Sequence, residues 1–265
     1  WVINDEEFID SPYHLEYLKM ILGAKDASGN DLDFLVASAL AMLAKNKDSI
    51  QSPYHEEDMK FITKIGSPSL QEDRSYPEHS VNHLALNKNS LKDKYHLENM
   101  KILAENYSIS YYLYPIMTGK EYIRGKYYRE EINALIQADS KLKARAIYCY
   151  ITDCSFDSND KRELDNELWD NNLSFRAVWF ARKKREFSEK GVNQPKYLEN
   201  LNLLNSLDDK YVIFIERLLS DSLLRKQNYQ EEDINTLLSL ESDELFFDLF
   251  EVMSSKESIA SPYHL

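Results

Sequence analysis

Three histidines stand at one spacing: His14, His55 and His96 are each 41 residues apart. A ladder of imidazoles could bind a metal ion or sense pH, because histidine ligates zinc and titrates near neutrality. The spacing argues against a shared ion. If the three sit on successive packed helices, neighbours are about 10 Å apart, too far for one metal. Each His is therefore expected to pack at a first helical turn, beside the Tyr before it, and to bond a nearby carbonyl or carboxylate. His79 and His83 form a second pair, i and i+4 on one helical face. The residues between them, Ser80-Val81-Asn82, include no glutamate of the zincin kind, and a third ligand would have to come from Glu78, Asp73 or farther away. No metal ligand is assigned.

Other reactive types are also read as ordinary. Cys149 and Cys154 lack the CxxC spacing and a neighbouring His, and nothing requires a disulfide, which favours a reducing compartment. The acidic runs Glu56-Glu57-Asp58, Glu130-Glu131 and Glu231-Glu232-Asp233 fall at helix starts, where the helix dipole explains them. Acid–base catalysis needs two carboxylates held across a cleft. There is no Gly-rich phosphate loop, Gly-x-Ser-x-Gly elbow or His-Glu-x-x-His. No catalytic residue and no cofactor is assigned. Two features are candidates for binding. The basic run Arg182-Lys183-Lys184-Arg185 could dock an acidic peptide or phosphate, or pair with acids of the 165–170 region. Tyr occurs 18 times, with clusters at Tyr111, Tyr112, Tyr114 and at Tyr148, Tyr150. These rings could pack between repeats or line a groove, since Tyr gives large contact area with a polar handle.

The elements that must hold these residues follow from the setting of the histidines. They belong to a recurring motif: Ser11-Pro12-Tyr13-His14-Leu15-Glu16, Ser52-Pro53-Tyr54-His55-Glu56-Glu57, Lys94-Tyr95-His96-Leu97-Glu98 and Ser261-Pro262-Tyr263-His264-Leu265. With Tyr as anchor, the fifth residue on is Leu18, Met59 or Met100, and the eighth is Ile21, Ile62 or Leu103, with a Lys between. Apolar positions three apart predict one buried stripe on a helix. The same frame recurs from Tyr127 (Ile132, Leu135), Lys196 (Leu201, Leu204) and Tyr229 (Ile234, Leu237), with a poorly registered copy near 160. Ser11 and Ser52 are expected N-caps with Pro at the first helical position.

A second amphipathic segment follows each anchor helix, at 31–45, 76–86, 108–123, 139–152, 173–188, 208–222 and 242–254. The predicted unit is a helical hairpin, with a period of 41 residues twice and then about 32–36. One hairpin cannot bury its own apolar stripe, so neighbours must stack. The predicted fold is all-α: an α-solenoid of about seven hairpins, a single array over residues 1–265. In period and two-helix unit the chain resembles the tetratricopeptide and HEAT-type repeat proteins, without either family's diagnostic pattern. The resemblance covers nearly the whole chain at the level of architecture, and implies a protein-binding scaffold.

Composition fits. The chain has 265 residues, 43% apolar and 29% charged, with only 6 Gly and 7 Pro, which suits helices. No apolar run approaches the roughly 18 residues of a membrane span. Net charge is −13, which disfavours nucleic acid and anionic membranes as partners and favours a basic or amphipathic protein or peptide. The alternatives are a helical-repeat enzyme, such as a hydrolase or a HEAT-like nucleic-acid glycosylase, and the targeting segment of a larger secreted effector. A glycosylase needs a basic face, against 45 acids and 32 bases here. The abundance of Lys, Asn, Ile and Tyr suggests an AT-rich, bacterial genome; the setting is left open between the cytoplasm and a secreted effector. The chain is expected to be a segment of a longer array.

Overall fold

The computed structural model describes residues 10–23, 34–65, 77–152, 196–220 and 230–253, and within them every copy of the motif opens a helix one residue after its anchor. These anchor helices are α1 (His14–Gly23), α4 (His55–Ile65), α6 (His96–Glu105), α9 (Tyr128–Gln137), α11 (Tyr197–Ser206) and α13 (Gln230–Leu238). The start is set differently from the sequence expectation. Ser-Pro-Tyr is a turn ahead of the helix, and the helical bonds begin at the anchor itself. The amide of His14 donates to the Ser11 carbonyl (3.1 Å), His55 to Ser52 (3.3 Å) and His96 to Asp93 (3.2 Å). The Ser hydroxyl accepts the anchor's amide, at 3.3 Å from Tyr13 and 3.2 Å from Tyr54. In the third copy the Asp93 carboxylate does the same for Tyr95, at 2.9 Å. Pro fits the second position of such a turn because its fixed φ is already right.

The second helices of the hairpins are α2 (Phe34–Lys45), α5 (Pro77–Leu84), α7 (Ser110–Thr118), α10 (Lys141–Thr152), α12 (Asp209–Ser220) and α14 (Asp243–Met253). Short helices α3 (Lys47–Ile50) and α8 (Lys120–Ile123) complete fourteen among the described residues, with two 3-10 turns and no strand. The chain is thus all-α in everything described. The expected helix over 108–123 is divided by Gly119, which turns to an extended conformation between α7 and α8. The expected helix over 173–188 lies outside the described residues.

The two apolar positions of the motif are the core. Met59, Met100, Ile132, Leu201 and Ile234 are buried, as are Ile62, Leu103, Leu135, Leu204 and Leu237. Leu18 is half-buried.

The chain divides into two compact units, Trp1–Tyr128 and Arg129–Leu265. In the first, α1 packs on α2, α2 on α4, α4 on α6, and α5 on both α6 and α7. In the second, α10 packs on α11 and α12, α12 on α13, and α13 on α14. The hairpin expected near 160 lies outside the described residues, and α10 touches both α11 and α12 directly.

Candidate functional site

Two histidines of the motif, His55 and His96, are buried in hydrogen-bonded clusters at the first helical turns, while His14 is half-buried. His96 has no exposed surface. Its Nδ1 lies 2.8 Å from Ser90 Oγ, and its Nε2 lies 2.8 and 3.0 Å from the two carboxylate oxygens of Asp58. An ionised carboxylate only accepts, so Nε2 carries a proton toward Asp58. In the neutral imidazole, Nδ1 then accepts from the Ser90 hydroxyl. His55 repeats the arrangement. Its Nδ1 lies 2.9 Å from Ser49 Oγ, and its Nε2 bonds the hydroxyl of Tyr17. Both serines lie six residues before their His, in the linker that ends the preceding hairpin. The 3-10 turn Ser90–Lys92 and helix α3 hold these serines.

Tyr17 and Asp58 occupy one motif position, four residues after the anchor. That position faces the residue after the next anchor in each resolved pairing. Asn99 is the third occupant and sits beside the Tyr128 hydroxyl, with no hydrogen bond of ordinary geometry between them. Glu131 is the fourth, and its Oε1 accepts from the Tyr197 hydroxyl at 2.8 Å. Ring contacts run alongside the polar ones in the first unit. Tyr13 lies on His55 with centroids 4.9 Å apart, Tyr54 on His96 at 5.1 Å, and Tyr95 on Tyr128 at 5.1 Å. In the first unit the hairpins anchored at 13 and 54 are thereby each joined to the next through a ring contact, and the His55, His96 and Tyr197 copies also through a buried hydrogen bond.

The electrostatics fit a dry joint. Burial pushes the Asp58 carboxyl above its ordinary value, although the His96 hydrogen bond pulls it back in part. Burial likewise raises Glu131 against the Tyr197 hydrogen bond, and raises the Tyr128 hydroxyl. His55 is held below its ordinary value, again by burial, with the neighbouring Glu56 opposing.

Ser90, His96 and Asp58 are the residue types of a hydrolase triad, bonded in sequence. Two observations separate them from one. All three are fully buried, so no substrate carbonyl can reach Ser90 Oγ. The same geometry recurs at Ser49 and His55 with a tyrosine in place of the carboxylate. A general base oriented by an acid is not needed twice with different third members, whereas a joint between hairpins is. What the arrangement does chemically is satisfy buried donors and acceptors across a helix–helix contact.

The residues singled out in the sequence are distributed as follows. On α7, Tyr111 is 68% exposed and meets Tyr112 edge-on at 5.5 Å, while Tyr112 is buried. Tyr114 is half-buried, its hydroxyl raised by burial and hydrogen-bonded to Asn87, and its ring stands edge-on to the exposed His83 at 6.3 Å. In the second unit, Tyr148 is half-buried on α10. Tyr150 is buried, stacked on Tyr197 at 5.6 Å, and accepts a hydrogen bond from Asn200 Nδ2 at 2.8 Å. Arg182, Lys183, Lys184 and Arg185, the His79 side chain and Cys154 lie outside the described residues. Cys149 is buried. Among the described residues no three His, Cys, Asp or Glu side chains gather as a metal requires, and no helix is long and apolar enough to cross a membrane.

Sequence reasoning did not single out Ser49, Ser90, Tyr17 or Asn99, and took Asp58 and Glu131 only as parts of acidic first turns. The available signal was the serine six residues before His55 and again before His96. Comparison of the chain with protein-family profiles, with curated proteins and with solved structures finds no match.

Proposed function

We propose that this chain is a non-catalytic helical-repeat scaffold that holds a protein partner. In this reading the hairpins anchored at 13, 54 and 95, and those anchored at 127, 196 and 229, are successive turns of an α-solenoid. Successive hairpins leave an extended surface open along the stack. The observation that carries the reading is the use of the reactive side chains. His55, His96, Ser49, Ser90 and Asp58 are spent, buried, on joining one hairpin to the next. Tyr111, Tyr114 and Tyr148 keep exposed or half-exposed rings and are the proposed contact residues, with the basic run 182–185 as a second candidate. The net charge of −13 favours a basic or amphipathic partner.

The test is affinity capture with the purified chain, followed by reconstitution with the purified captured protein over a series of salt concentrations. The expected result is saturable binding that weakens as salt rises, because exposed charges are screened. A turnover assay in which one carboxylate substitution abolishes activity would contradict the reading.

A further inference from the structure

We propose that the first turn of α13 is the receiving half of a third Ser–His joint, in which Asp233 takes one imidazole nitrogen of His264, Ser258 takes the other, and the chain from 258 to 265 is thereby seated on α13. No external partner is needed for this joint, so it stands apart from the scaffold reading.

Helix α13 opens as α4 does. The first turn of α4 carries Glu56-Glu57-Asp58-Met59, and that of α13 carries Glu231-Glu232-Asp233-Ile234. In both runs the two glutamates are exposed, while the aspartate and the apolar residue are buried. Asp233 is only 1% exposed. The helix dipole favours a first-turn acid that remains in water, so it does not explain a buried one. A carboxylate withdrawn from water needs donors. On α4 the donor is Nε2 of His96.

The register names the donor for α13. The residue four after each anchor meets the residue that follows the next anchor, as Tyr17 meets His55, Asp58 meets His96, Asn99 lies beside Tyr128 and Glu131 meets Tyr197. Asn200 departs from this and donates to the Tyr150 hydroxyl, in the copy whose next anchor is followed by Gln230 rather than by a ring. Asp233 is the next occupant of the position, and the residue after the next anchor is His264.

The serine points the same way. Ser49 and Ser90 lie six residues before their histidines and bond Nδ1. Ser258 lies six residues before His264. Where Tyr128, Tyr197 or Gln230 replaces the histidine, that place holds Tyr122, Gly191 or Leu224. The serine thus goes with the imidazole nitrogen it bonds. His14 has Phe8 at the serine place and is half-buried rather than buried.

Ser258 and His264 lie outside the described residues, so the register carries their assignment. They share the unit Arg129–Leu265 with Asp233. Ser258 follows α14 in the chain as Ser49 follows α2 and Ser90 follows α5. In the joint, His264 Nε2–H donates to Asp233, and Nδ1 accepts from the Ser258 hydroxyl. The chain's own segment is the occupant because its covalent link through α14 holds it near α13 at high effective concentration.

The experiment uses the full chain, labelled with nitrogen-15 and held at about pH 7.5, above the ordinary histidine value. The imidazole signals of His264 are identified by their loss in His264→Gln. They are expected to show a proton on Nε2 protected from solvent exchange and an unprotonated Nδ1. Asp233→Ala should abolish the protection, and Glu232→Ala, at the exposed neighbour, should keep it. In urea unfolding, Asp233→Ala and His264→Ala together should be more stable than the product of their separate effects, by at least about tenfold in the unfolding constant. Glu232→Ala with His264→Ala should show no such coupling. An unprotected His264 imidazole, protection that survives Asp233→Ala, or uncoupled losses overturn the joint. A wild-type dimer in sedimentation that His264→Gln dissolves assigns the segment to α13 of a second copy and overturns seating within one chain.

Discussion

His55 is the residue whose surroundings make the clearest statement about pH. Its imidazole is buried between Tyr17 and Ser49, and burial holds it below the ordinary histidine value of 6.5. The folded state therefore binds fewer protons than the unfolded chain as the pH drops past that value. The contribution of a neutral His55 is fully present above about pH 6.5. It is lost as the pH falls toward the depressed value. Asp58 and Glu131 have the opposite sign: their raised carboxyls favour the folded state most in acid and lose that contribution as the pH rises through their folded values. The difference between wild type and His55→Gln isolates the histidine from these carboxyls. The gap in thermal midpoint between the two proteins should narrow from pH 7.5 to pH 5.5, values chosen about one unit either side of the ordinary histidine value. A gap that stays constant or widens toward acid contradicts the assignment of His55 as a buried neutral member of the joint.

At the scale of the helix, stability resides in the two apolar motif positions and in the breaks between elements. Leu201 is buried on α11, and Leu201→Ala should cost about 2–5 kcal/mol. Lys60 is exposed on α4, and Lys60→Ala should cost under about 0.5 kcal/mol. Similar urea midpoints for the two variants would refute the register. Gly119 marks the α7–α8 break, where a Cβ would come within 2.6 Å of the Tyr122 ring and 2.9 Å of the Pro115 carbonyl. Gly119→Ala should therefore cost about 1–3 kcal/mol, read from the urea midpoint, and a wild-type midpoint contradicts it. These elements also show what the sequence makes legible. The stripe of Met59, Ile62, Met100 and Leu103 is a local periodicity, so it can be read without coordinates. The joints cannot be read in the same way. The residue opposite each motif His or Tyr is Tyr17, Asp58, Asn99 or Glu131, four side-chain types at one position. Tyr17, Asp58 and Glu131 each hydrogen-bond the side chain opposite, and Asn99 only sits beside the Tyr128 hydroxyl, so the position carries no repeated letter. The contact of α10 with α11 and α12 is illegible for a related reason, because it joins elements far apart in the sequence.

For the molecule as a whole, the Ser–His–Asp set joins one helical hairpin to the next, and holding a partner is the role we propose for the surface. A joint and a catalytic triad make opposite demands on stability. A catalytic triad can be dismantled with the fold intact, and active-site residues often cost stability to keep. A buried joint cannot, because removing one partner leaves the other charged or polar group without a bond. The direct measurement is a double-mutant cycle on Asp58 and His96 by urea unfolding of the full chain, with Asp58→Ala, His96→Ala and the double variant. Each single variant should be less stable by about 3–5 kcal/mol. The double variant should be more stable than the sum of the two losses by about 0.5–3 kcal/mol. Single variants with wild-type stability, or losses that simply add, would contradict the claim that Asp58 and His96 join one hairpin to the next.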